Sequence, residues 1–144
     1  MSASPPAPAA ESSGRWDALA LREGASVAVL CAVPFTLVAR FAFAEDDKSG
    51  WASLLALATF AGFVLGAGVA AWRQQRGTPL LHGVATAVGV FVAVQVVFAA
   101  LRLLRGESVN SGRIAVSLSL AALAGLIGGM LGSFLQRQGM APRR

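Results

Sequence analysis

Four apolar runs, each long enough to cross a bilayer, constrain this chain more than any other feature. About 20 mostly apolar residues in a helix span the roughly 30 Å of hydrocarbon. Residues 24–44, 51–72, 81–104 and 114–135 each meet that requirement. Inside lipid every backbone N–H and C=O must be satisfied within the structure, and for single runs of this length the helix is the form that does so. The connectors at 45–50, 73–79 and 105–113 are short, so successive helices must run up and down beside one another. The expected fold is an all-α membrane protein of four antiparallel transmembrane helices. Residues 1–13, rich in Pro, Ala and Ser, are expected to be disordered. The four-helix domain is expected over 14–137, with a short basic tail at 138–144.

Composition agrees with burial in lipid. Only 13% of the 144 residues are charged and 56% are hydrophobic, against about 25% charged in soluble domains. The net charge of +5 does not indicate nucleic acid, because the arginines sit at the ends of apolar runs, where membrane anchors belong. Trp51 and Trp72 bracket the second run and lie about 31 Å apart at helical rise, which places each indole at an interface. Ala42-Phe43-Ala44 resembles a signal-peptidase site. The run before it is too long for a typical signal peptide and Arg40-Phe41 is unfavourable there, so an uncleaved first span is expected.

The positive-inside rule orients the bundle. The side holding both termini and the second connector carries Arg15, Arg22, Arg73, Arg76, Arg137, Arg143 and Arg144. The opposite side carries Arg40, Lys48, Arg102, Arg105 and Arg113. Both termini are expected in the cytoplasm, with the chain in the plasma membrane.

The second and fourth runs share a pattern. Ala58, Gly62, Gly66 and Ala70 align with Ala121, Gly125, Gly129 and Ser133, and each quartet forms a small-residue stripe on one helix face. In lipid, helices associate through close packing, and Gly or Ala lets backbones approach. Gly128 and Gly132 add a second small pair, available for packing within the chain or for self-association. Weaker stripes run through Gly24, Ala28, Ala32 and Thr36 and through Ala85, Gly89 and Ala93. The matching quartets suggest two tandem, parallel helical hairpins related by a pseudo-two-fold axis along the membrane normal. Gly62, Gly66, Gly125, Gly128, Gly129 and Gly132 are the expected packing positions.

Few groups could carry chemistry. Cys31 is the single cysteine and His82 the single histidine, so neither an intramolecular disulfide nor a multi-ligand metal site is expected, and no cofactor is implied. His82, near Arg73 and Arg76, is expected as an anchor at headgroup depth. No carboxylate is expected within a span, which argues against a proton- or cation-coupled carrier. No Ser/His/acid trio can be built from loop acids and one histidine, so the chain is not expected to be an enzyme. Gln95 lies deep in the third span, with Arg102 two turns later. With Ser117 and Ser119 they form a candidate polar path, the structural alternative being cross-helix bonding and snorkelling. Pro34 is expected to kink the first helix.

The Gly-rich second and fourth runs, Arg73-Gln74-Gln75-Arg76 and Leu81-His82-Gly83 resemble small four-span membrane proteins of GC-rich bacteria whose function is uncharacterised. The resemblance covers residues 24–138 and implies four helices; it brings no catalytic residues. Motif residues of the small fluoride channels are absent. The expected role is a non-enzymatic interaction or accessory subunit that packs through Gly/Ala faces. Its expected partners are membrane lipids and a membrane protein or further copies of itself, with no nucleic acid. The alternative is a homo-oligomeric channel or facilitator for a small solute or ion.

Overall fold

The computed structural model describes residues 16–43, 49–106, 108 and 111–140. They form four helices: α1 (Ala18–Ala42), α2 (Gly50–Arg73), α3 (Pro79–Leu104) and α4 (Ser111–Arg137). All four are long and apolar enough to cross a membrane, and no strand occurs among the described residues. The expected disordered stretch 1–13, most of the acidic connector and the last four residues of the basic tail lie outside the described residues.

Local chemistry sets the helix starts. Asp17 caps α1, its Oδ1 accepting from the Ala20 amide at 3.1 Å. This side-chain acceptor satisfies one of the orphan amides of the first turn. Ser49 does the same for α2, accepting from Ala52 N at 3.2 Å. Pro79 begins α3, where a missing N–H costs nothing. Because of the Asp17 cap, α1 begins at Ala18 instead of residue 24. Glu23 is thereby inside the first helix, in its second turn and just ahead of the apolar run that begins at residue 24. α1 continues through Pro34 to Ala42.

Each hairpin closes on its own glycine stripe. A Cβ on Gly62 would lie 2.8 Å from Ala32 N, and one on Gly66 would lie 2.5 Å from the Ala28 Cβ. In the second hairpin, a Cβ on Gly125 would come within 2.7 Å of Val84 Cα, and one on Gly129 within 3.0 Å of Leu80 Cα. The two hairpins meet through the other pair. A Cβ on Gly128 would strike Val64 O, and one on Gly132 would sit 2.5 Å from Gly68 O. Gly128 and Gly132 are therefore buried between α4 and α2 within one chain, away from any surface another copy could reach.

Two expectations change. The α3 stripe facing α4 is Gly83 with Ala87, not Ala85, Gly89 and Ala93. Gly89 and Ala93 are exposed, and a Cβ on Gly89 meets nothing within 4 Å. In so Ala- and Gly-rich a helix, four-residue spacing occurs on more than one face, and the face opposite Gly125 and Gly129 is the one that packs. The two-fold relation between hairpins is also incomplete. Among the described residues α2 meets α3, while α1 and α4, which the symmetry would pair equivalently, do not touch.

Packing is uneven along the membrane normal. The buried positions are Ala20, Gly24, Ala28 and Ala32 on α1, and Gly62 to Ala71 on α2. They continue as His82 to Val90 on α3 and Ala121 to Gly132 on α4. Nearly all lie toward the end that holds the described termini, with Ala32 and Ala121 just past the middle of their helices. Nothing is fully buried in 33–42, 50–61 or 111–120, and Phe98 alone is buried in 91–104. The reason lies in side-chain size. Glycine and alanine faces bring backbones together in one half. Phe60, Phe63, Phe91 and Val94 then wedge between the helices, with Phe63 and Phe91 meeting edge to face at 6.5 Å.

Candidate functional site

In the packed half most polar groups are satisfied within the chain, the buried Thr86 Oγ1 and Glu23 Oε2 being without a hydrogen-bond partner among the described residues. His82 is the largest fully buried side chain among the described residues. The Asp17 amide donates to its Nε2 at 2.8 Å, so Nε2 must present a lone pair. Its Nδ1 lies 2.9 Å from Thr78 O and therefore carries the hydrogen. The imidazole thus bridges the start of α1 to the start of α3, with the Trp16 ring tilted against it at 5.7 Å between centroids. His82 is a bracket and not the exposed anchor expected from the sequence.

A second bridge joins α2 to α4. Gln136 Nε2 donates to Trp72 O and to Gln74 O, each at 2.8 Å. These carbonyls are left open where α2 ends. Gln74, almost fully buried, accepts from Arg76 N at 2.8 Å and Thr78 N at 3.3 Å, shaping the turn into α3. Trp72 Nε1 donates to Met140 O at 2.6 Å, and Arg73 pairs with Glu23. Gln74 and Gln75 follow the second run and Gln136 and Gln138 the fourth, but the sequence does not show that Gln74 and Gln136 bond each other. Two glutamines at neighbouring helix ends were the available signal.

The open half presents the contrasting arrangement. Phe91, Val92, Gln95, Val96 and Ala99 of α3 and Ile114 and Leu118 of α4 line an outward-facing groove of about 240 Å³. Gln95 is half-buried in it and has no hydrogen-bond partner among the described residues. At 1.5 Å per residue it lies only about 5 Å from the middle of α3, well inside hydrocarbon. An amide there without a partner is costly. Gly89, two turns nearer the start of α3, is the mid-helix glycine with open space in front of it.

The remaining residues of the expected polar path are dispersed. Ser119 is exposed and its hydroxyl donates to Ala115 O in the same helix at 3.1 Å. Ser117 is half-buried but does not line the groove. Arg102 is half-buried and already engaged within the chain. Nearby, Arg40 lies 4.6 Å over the Phe98 ring, tying α1 to α3 by a cation–π contact. Of the four path residues, Gln95 is the one that lines the groove.

These features define the class: an all-α, multi-pass membrane protein of four transmembrane helices. No family model matches the chain, and no solved structure matches it. The chain is 30% identical over 97 residues to the potassium-binding subunit of a potassium-transporting ATPase from Rhizobium rhizogenes. The match takes in 67% of this chain and spans 15% of that protein's length.

Proposed function

We propose that this chain is a non-enzymatic accessory subunit of a plasma-membrane complex, with both termini in the cytoplasm. Its packed half holds the fold, and its open half seats a transmembrane helix of a partner in the α3/α4 groove. The observation that carries this reading is Gln95: its apolar stem lines an outward groove at mid-bilayer depth, and its amide has no partner among the described residues. Polar side chains of this kind join transmembrane helices by hydrogen bonds worth about 0.6–2 kcal/mol each. A helix laid along the Val92 side of α3 would reach the Gln95 amide on one flank and the bare backbone of Gly89 on the other. The likeness to a subunit of a potassium-transporting ATPase is in keeping with a place in a multi-subunit transport assembly. A polar path through one chain finds less support, since Gln95, Ser117 and Ser119 face different surroundings.

The test is purification from native membranes in mild detergent, with light-scattering mass and mass spectrometry of what co-elutes. A stoichiometric membrane protein that is lost in Gln95→Leu is the expected result. A homo-oligomer lost in the same variant would make a second copy the occupant and would justify flux measurements. A wild-type protein that is strictly monomeric and alone would overturn the reading.

A further inference from the structure

The packed end of the bundle presents unbalanced positive charge. Its described acids are already occupied. Asp17 accepts from Ala20 N through Oδ1 and from Gln75 N through Oδ2, and Glu23 is paired with Arg73. Arg73 also lies over the Trp72 ring, so its charge is compensated inside the protein. Arg22 near the start of α1, Arg76 in the α2–α3 turn and Arg137 at the end of α4 are different. All three are exposed, and their guanidinium groups have no partner among the described residues. Trp16, 49% exposed, stands at the same end, at the depth where amphipathic rings meet headgroups.

The other end offers less of such surface: Arg105 is exposed with no guanidinium partner among the described residues, but Arg40 lies over Phe98, and Arg102 and Arg113 are engaged within the chain. The whole sequence extends the contrast: seven basic residues against three acidic belong to the termini side, and five against four to the other.

We propose that Arg22, Arg76 and Arg137 form a binding surface for the phosphate groups of anionic glycerophospholipids in the leaflet on the termini side. The three guanidiniums come from three separate segments around one end of the bundle. They meet headgroups around the perimeter, and Arg22 reaches its level by snorkelling from the second turn of α1. Guanidinium is suited to this because its fork of donors matches phosphate oxygens. Each arginine near an anionic surface contributes about fivefold in affinity. The three together should give on the order of a hundredfold preference for anionic over zwitterionic lipid at low salt, declining as salt screens the charges.

The experiment is a native mass-spectrometric titration of the full chain in mild detergent, with phosphatidylglycerol and phosphatidylcholine as competing probes. Wild-type protein should retain phosphatidylglycerol preferentially. The variant Arg22→Gln/Arg76→Gln/Arg137→Gln should lose that preference, while Arg105→Gln at the opposite end should keep it. Each variant's helical content and unfolding midpoint are measured first. Should the triple variant not fold, the three single variants replace it, each predicted to lose about fivefold. No preference in wild type, an undiminished preference in the arginine variants, or an equal loss in Arg105→Gln would overturn the proposal.

Discussion

The two halves of this bundle are made from the same four helices and behave as different materials. Toward the termini, Gly62, Gly66, Gly125, Gly128, Gly129 and Gly132 bring backbones into contact. There His82, Gln74 and Gln136 close every helix end onto a neighbour. Toward the other end few residues are buried, and Gln95 lines a groove with no hydrogen-bond partner among the described residues. Lipid supplies no hydrophobic force between helices, so packing and hydrogen bonds decide where a membrane bundle is tight. One half has both. The other has a polar group waiting for a neighbour.

Substitutions should break this contrast in order of size. The largest effect belongs to Gly132→Leu or Gly62→Leu, which force a side chain into facing backbone. Overpacking of this kind costs about 3 kcal/mol or more, and reversible unfolding in mixed micelles should find little folded protein. His82→Ala comes next. It removes the bridge from α1 to α3 and leaves the Asp17 amide without its acceptor, for a loss of about 2–4 kcal/mol in the same assay. Gln136→Leu strips the donor from the Trp72 and Gln74 carbonyls and should cost about 1–2 kcal/mol. In the open half, Arg40→Ala should cost only about 0.5–1 kcal/mol, the scale of one exposed cation–π contact. Smallest is Gln95→Leu, whose unfolding midpoint should match or slightly exceed that of wild type while association with a partner is lost.

Much of the fold was legible in the sequence. Hydropathy gave four spans, connector length gave the antiparallel order, and the repeated Gly-x-x-x-Gly register gave the stripes on α2 and α4. The stripe on α3 was misread because small residues occupy more than one of its faces, and only the partner helix selects between them. The start of α1 was not legible from hydropathy for a different reason. Apolar runs mark where lipid begins, whereas the Asp17 cap marks where the helix begins, so Glu23 falls between the two. Gln95 was visible as the deepest polar side chain, but its place on the groove depends on how α3 and α4 pack. The His82 bracket was invisible because its acceptor geometry depends on a backbone amide 65 residues away.

Leucine at Gly89 and leucine at Gly128, compared side by side, test the central claim most directly. Both substitutions add the same side chain to a mid-helix glycine, one pressed against a neighbouring helix and the other facing outward. Each variant is scored by unfolding midpoint and by light-scattering mass after gentle extraction from native membranes. The account predicts that Gly128→Leu fails to fold, while Gly89→Leu keeps the wild-type midpoint and loses its partner. If Gly89→Leu unfolds as readily as Gly128→Leu, or if it folds and keeps wild-type association, the assignment of the outward face of α3 to docking is wrong.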